Sequence, residues 1–387
     1  MLDRTLLIVA PRLEGSYIDE RPLPKPTRYS RPRARKRHKA KQPRGMWNSG
    51  QSCHLSAIIT ALSALPALRH WISNQPPLHN APIVPLTHSI LQAACGTEEH
   101  NVAIDPRPTL SLLERDGWKS RFAQDAHETL LRVLELVEDH VEEPRQALVQ
   151  TQSVGCLVRD ERQLTHCIGR TKVVMEWKRE RKPPYTSTTA SWSHCFQCGY
   201  TTPLVLTDSP MMVVSATAER EKPLASLISH TMFSKTQVHM RCEGCGENCA
   251  HLHCSEVWRF PKVLITLVQR GMYGARGVSI SRAKVWFNDS ISIYGPYGRG
   301  QRRRELRYGL RSVVRHVGGA SGYKSHYDCI VRCPEATGWG LCGVDSKPKW
   351  WRVDDARVMA SCMRQACESS HVYLTLFELE DDVYKTH

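Results

Sequence analysis

Two short cysteine pairs, Cys195-Phe-Gln-Cys198 and Cys242-Glu-Gly-Cys245, constrain this chain more than any other feature it carries. Each is a turn that aims two sulfurs the same way, with a glycine, Gly199 or Gly246, directly behind it; two such turns are the usual way to build a closed zinc site of four thiolates. The stretch from Gly199 to Arg241 between them is longer than a compact zinc ribbon allows. Cys195, Cys198, Cys242 and Cys245 are therefore expected on two hairpins that meet across an insertion, holding one structural zinc ion. Cys249, His251, His253 and Cys254 lie near enough to substitute as ligands, but incidental packing is the favoured reading for them. Fifteen cysteines, an odd number, are too sparse for a disulfide scaffold in 387 residues. Read as reduced thiols and metal ligands, they place the chain in cytosol or nucleus.

The formal net charge of +15 is unevenly spread: eleven Lys or Arg fall between Arg21 and Arg44 with no acidic residue among them. That segment also holds Pro22, Pro24, Pro26, Pro32 and Pro43, so residues 1–44 are expected to form a disordered basic arm. Its partners would be an import receptor or, less favoured because only Tyr29 interleaves the basic residues, a nucleic acid. No apolar run near the start is longer than Leu6 to Ala10, so neither a leader nor a membrane span is expected.

From Gly45 the texture is that of a folded domain. Leu55, Ile58, Ile59 and Leu62 recur with the period of one helix face, and Pro66 then marks an end. Ala126, Leu130, Val133, Leu134 and Val137 give the same stripe over about 123–141. Beyond Val154 short β-branched runs take over: Lys172 to Glu176, Leu204 to Leu206, Met211 to Val214, Val263 to Val268, Val313 to His316, Tyr327 to Val331 and Val372 to Phe377. Helices first and strands afterwards indicate an α+β fold.

Two further places carry chemistry. The Gly-punctuated loop Gly45 to Gln51 ends where the first helical stripe begins, which puts Cys53 at a helix N-terminus; backbone N–H groups and the helix dipole there favour a thiolate nucleophile. Attack on a carbonyl would create an oxyanion, for which the Asn48 side chain and nearby backbone N–H groups are candidate donors. His326, opening a strand, is a candidate base, with Asp354 to hold its other ring nitrogen. On chemistry alone His316 serves as well.

Taken in order, these segments resemble the ubiquitin-specific proteases, a family of cysteine deubiquitinases. Gly45 to Ala57 is similar to the family's cysteine box at the glycines, Asn48 and Cys53, with Ser52 in place of Thr. Arg121 to Leu130, with Gln124, Asp125 and Glu128, resembles its acidic helix, and Phe260 to Arg270 a core strand. Tyr308 to Leu310, His316, Gly318, His326-Tyr327, Trp351, Asp354-Asp355 and Tyr373 to Phe377 follow its histidine box. The resemblance runs from about Gly45 to Glu378 and assigns the base to His326, leaving His316 a structural position. Departures are His54 for Tyr, Leu55-Ser56-Ala57 for the residues after it, and Ser325 for Gly before the histidine, where a side chain would crowd the channel for a Gly-Gly terminus.

The resemblance implies a papain-like hand: a helical thumb (about 45–150), zinc-bearing β fingers (about 155–260) and a β palm (about 261–387). It implies hydrolysis of the (iso)peptide bond after the C-terminal glycine of ubiquitin, with Cys53 as nucleophile, His326 as base, Asp354 orienting it, Asp355 as helper and Asn48 on the oxyanion. Gln124, Asp125 and Glu128 would hold the ubiquitin tail. Two other functions fit the same residues: a catalytically weak or inactive ubiquitin-binding scaffold, and a zinc-containing nucleic-acid-binding protein.

Overall fold

The structure, a computed structural model, describes residues 42–74, 84–94, 102–115, 117, 124–139, 151–152, 157–159, 164–166, 172–173, 182–216, 222–274, 277–281, 283–294, 303–318, 326–333 and 350–385. Most of the expected basic arm, and Ser325 with the glycines around it, lie outside the described residues. Arg44 does not: its backbone N–H donates to the Ala93 carbonyl, and its guanidinium donates to that of Val102.

Five helices come first: α1 (Cys53–Ser63), α2 (Pro66–Ser73), α3 (Val84–Ala94), α4 (Arg107–Arg115) and α5 (Ala126–Asp139). The expected stripe of α1 is only part of what it buries, for every residue from His54 to Ser63 is enclosed. A helix apolar all round belongs inside a core. Burial of Leu55, Ile58, Ile59 and Leu62 contributes roughly 1.5–3 kcal/mol each. Pro66 does more than end a helix. It sits at the first position of α2, where its missing N–H has no partner to lose and its fixed φ suits the helical turn. Among the described residues no single helix is long and apolar enough to cross a membrane.

The fingers are a four-stranded antiparallel sheet of β1 (Ser187–Cys195), β2 (Val205–Ser209), β3 (Phe233–Arg241) and β4 (Asn248–Arg259), in the order β2-β1-β4-β3. The palm is an eight-stranded sheet built from β5 (Val263–Gln269), β6 (Ser290–Tyr294), β7 (Arg303–Val317), β8 (His326–Arg332), β9 (Trp350–Asp354), β10 (Arg357–Ser361) and β11 (Val372–Lys385). Its eighth strand, Met212–Ser215, pairs in parallel with β5 and so belongs to the palm, although it falls in the stretch expected for the fingers. The order is β10-β9-β8-β7-β11-β5 and then Met212–Ser215, with β6 alongside β7.

Both palm faces are buried, which is why β5 reads as an unbroken apolar run rather than an alternation. Val263, Ile265 and Leu267 face the helical thumb with Val314, Cys329, Val353, Leu374 and Leu376. Leu264 and Val268 face the other way, with Val313, Ile330 and Phe377, onto the helix Leu224–Met232. The central strands are thus clamped between two cores, and α1 is tied directly to them: the buried Ser312 hydroxyl donates to the Ala61 carbonyl at 3.0 Å.

Candidate active site

Cys53 is the first residue of α1, as its loop suggests. The loop is locked from within: Asn48 Oδ1 accepts the Ser52 N–H at 3.2 Å, and the Ser49 N–H donates to Ser52 Oγ at 3.1 Å. Gly50 adopts φ 114°, a conformation open to glycine and strained for residues with a Cβ. The expectation of a thiolate at rest is corrected here. Burial pushes the Cys53 thiol up, and the amide N–H groups of Tyr327 and His54, which pull it down, do not compensate. The helix N-terminus is present, but loss of water is the larger effect.

The Tyr327 amide at that sulfur belongs to the residue after His326, so β8 carries the imidazole to the start of α1. His326 Nε2 donates to Asp354 Oδ1 at 2.7 Å. Since an ionised carboxylate only accepts, this bond puts the proton on Nε2 and leaves Nδ1 bare. His316 stands directly across the ladder from Tyr327 and stacks on its ring, with centroids 4.8 Å apart. Burial lowers its pKa, and it packs in the Tyr327–Tyr373 cluster.

Behind the dyad is a network that sequence reasoning missed. Arg352 donates to Asp354 Oδ2 at 3.3 Å and to Asp328 Oδ2 at 2.8 Å, while Arg315 grips Asp328 in a bidentate pair at 2.6 and 2.7 Å. The Asp328 side chain is fully buried, and such a charge is tolerable only when paired and hydrogen-bonded. The period of a strand could have revealed it: His326 and Asp328 share one face of β8, as Arg352 and Asp354 share one face of β9.

Asp355 occupies the tight turn between β9 and β10 at φ 51°. Its carboxylate accepts the Asn48 side-chain N–H at 2.9 Å, and its carbonyl accepts the Met46 N–H at 3.0 Å. Burial raises the Asp355 pKa. Gly45 is required by the same approach, because a Cβ there would sit 2.4 Å from the Asp355 carbonyl oxygen. Asn48 is thus held over the cysteine loop with one of its two N–H groups engaged.

Asp125 caps α5, accepting the His127 N–H at 2.7 Å, and it also accepts the Tyr373 hydroxyl at 2.6 Å and His127 Nδ1 at 2.7 Å. These bonds pin the thumb to the palm and use much of the carboxylate internally. Glu128, one turn on, is exposed; Gln124 is half-buried.

At the tip of the fingers the two knuckles have matching geometry. Gly199 N–H returns to the Cys195 carbonyl and Gly246 N–H to that of Cys242, with φ 73° and 77°. Amide N–H groups within each turn, Cys198's on Cys195 and Cys245's on Cys242, draw those two thiols down, Cys242 to about 6. The ligand atoms of Cys195, Cys198, Cys242 and Cys245 lie within 4.8 Å of one another and can hold a metal ion. A second set, Cys195, Cys242, Cys249 and His251, meets the same limit. Sulfur separations of 3.3 Å for Cys195–Cys249 and 3.6 Å for Cys198–Cys242 exclude disulfides, which need about 2.05 Å. Both fall a little short of the ~3.8 Å edge of a tetrahedron built on Zn–S bonds of about 2.3 Å.

The profile of the family described as ubiquitin carboxyl-terminal hydrolase matches residues 44–377. Ubiquitin carboxyl-terminal hydrolase 17-like protein B of Mus musculus is 22% identical over 355 residues, covering 88% of this chain and 64% of its own length. Ubiquitin carboxyl-terminal hydrolase 30 of Homo sapiens is 22% identical over 303 residues, covering 67% and 56%. The chain thus spans less than two thirds of these relatives. Among solved structures, a SAGA DUB module, Ubp8/Sgf11/Sus1/Sgf73 bound to monoubiquitin, superposes with TM-score 0.60 at 14% identity, covering 87% of this chain and 69% of that one. A second structure of that module, bound to ubiquitin aldehyde, gives 0.59 at 14% identity, covering 87% and 70%. The fold is therefore the papain-like α+β hand. With the family profile running through the cysteine loop, the palm and the histidine strand, the chain belongs to the ubiquitin carboxyl-terminal hydrolase family, in its ubiquitin-specific protease branch.

Proposed function

We propose that the protein is a thiol-dependent deubiquitinase that hydrolyses the (iso)peptide bond after the C-terminal glycine of ubiquitin. The observation that carries this reading is the Nε2–Oδ1 bond between His326 and Asp354, made where β8 brings the Tyr327 amide to the Cys53 sulfur. With Nε2 committed to Asp354, Nδ1 of His326 takes the Cys53 proton, and the thiolate attacks the glycine carbonyl. The second N–H of Asn48, together with backbone N–H groups at the start of α1, stabilises the oxyanion. His326 then returns the proton to the leaving amine, and water releases the thioester. Arg352 and Asp355 are positioning residues, one for Asp354 and the other for Asn48. The tail of ubiquitin passes between Asp125, Gln124 and Glu128 on the thumb and the palm strands, with exposed Glu128 the freest charge for a basic tail. The fingers hold one structural zinc ion. The basic cluster from Arg33 to Lys41 supports a nuclear as well as a cytoplasmic location.

Cys53→Ala is expected to abolish turnover of a fluorogenic ubiquitin C-terminal amide while ubiquitin binding persists. Undiminished turnover in that variant removes Cys53 from the mechanism. A second reading, a ubiquitin-binding scaffold without turnover, is favoured by the raised Cys53 thiol and the internally engaged Asp125. It requires the unsubstituted protein to bind ubiquitin and leave the amide intact.

A further inference from the structure

We propose that the outer edge of β3 takes up an extended acidic segment of a partner protein as a fifth strand of the fingers sheet. The proposal goes beyond ubiquitin hydrolysis and does not depend on it. β3 is nine residues long, ends the sheet order and pairs with β4 alone among the described residues. Its register with β4 runs without a shift, from Phe233 across from Glu256 to Arg241 across from Asn248. On a strand so placed every second residue turns its backbone N–H and C=O away from the sheet, and a row of such groups can pair with another extended chain. No proline and no bulge interrupts the row. The opposite edge, β2, is only five residues long and carries Asp208, whose carboxylate is engaged by Lys182 at 2.8 Å and by the Thr188 hydroxyl at 2.6 Å.

The side chains of β3 select the chain that fits. Lys235, Gln237, His239 and Arg241 are exposed and, at alternate positions, share one face of a strand that has no acidic residue. None of the three basic side chains has an ion pair with a described carboxylate. Thr236, Val238 and Met240 give the other face uncharged contacts. An incoming strand with carboxylates at alternate positions sets them across from Lys235, His239 and Arg241, and opposite charges on facing residues of neighbouring strands attract. A second copy of β3 fits worse. Paired antiparallel about Gln237, two copies would set Lys235 across from His239 and bring basic groups together. The basic residues thus protect the edge against self-association while leaving it open to an acidic chain.

The test uses the full chain and a nonapeptide that alternates glutamate with valine, followed by fluorescence anisotropy and by hydrogen exchange of residues 233–241. Saturable binding that slows exchange in β3 is expected, with none for the same peptide carrying lysine in place of glutamate. Methylating the backbone nitrogens of one alternating set of the peptide should abolish binding, and methylating the other set should spare it, because a strand offers only one of its two edges to the ladder. Lys235→Glu combined with Arg241→Glu changes exposed side chains only; it should weaken the glutamate peptide at least tenfold and admit the lysine peptide. Absence of binding overturns the proposal. So does binding that both methylated peptides retain, which is charge attraction without an added strand, and so does a dimer of the free protein whose β3 amides are already protected.

Discussion

Burial and backbone amides pull the Cys53 thiol in opposite directions, and burial prevails, so on the proposed mechanism the sulfur stays a thiol until His326 takes its proton. Asp354 holds the His326 imidazole and is itself held by Arg352, whose other contact is the buried Asp328. Arg352→Gln is therefore expected to lower kcat by about tenfold or more with little change in KM, because a small displacement of the dyad misaligns the proton transfer. Steady-state kinetics at several ubiquitin-substrate concentrations makes that separation. His54 is a different case. It is buried beside the nucleophile with both ring nitrogens lacking a hydrogen bond, and desolvation lowers its pKa to about 4. An unfolded histidine titrates near 6.5, so between about 6.5 and 4 the unfolded chain binds a proton that the folded one refuses. The stability this group contributes is complete above about 6.5 and is lost as pH falls toward 4, up to about 3 kcal/mol. Urea denaturation at pH 7.5 and 5.0 should show a loss that His54→Phe reduces; an unchanged loss in the variant assigns the acid sensitivity elsewhere.

Among the elements, the turn between β9 and β10 has the most influence for its size. It carries Asp355 at positive φ, accepts the Met46 N–H, holds Asn48 and closes against Gly45 with no room for a methyl group. Gly45→Ala should move this turn and cost at least tenfold in kcat/KM, with a loss of about 1–3 kcal/mol in stability. Full activity with native stability would show that the contact between loop and turn is not needed. The same element shows where sequence reading stops. The pairing of His326 with Asp354 was legible because order and spacing matched a known pattern, and the helix that Cys53 opens was legible from its period. That Asp328 and Arg315 form an ion pair was not, because cross-strand partners depend on register, which neither strand states alone. The end of α1 just before Pro66 was legible, but not that the same proline opens α2, because a proline that opens a helix and one that follows a helix look identical in sequence.

For the molecule as a whole, the palm sheet carries the His326 strand between two cores, and its Tyr327 amide meets the Cys53 sulfur at the start of α1. The division into helices and then strands was readable from composition and period; the assignment of Met212–Ser215 to the palm was not, since parallel pairing with β5 joins segments far apart in sequence. The cluster at the tip of the fingers is made mostly of cysteines rather than large apolar side chains, so the proposed zinc would carry much of its stability. Stripping zinc with a chelator should therefore lower the thermal midpoint of the fingers first, since a structural metal contributes folding energy directly. A single transition unmoved by chelation would show that the β sheet there stands on its own. The most direct test of the catalytic assignment is labelling of the full chain with a ubiquitin probe bearing a C-terminal thiol-reactive group, with the modified residue mapped by mass spectrometry. One covalent ubiquitin on Cys53, lost in His326→Ala, is the expected result; no adduct, or an adduct on another of the cysteines, contradicts it.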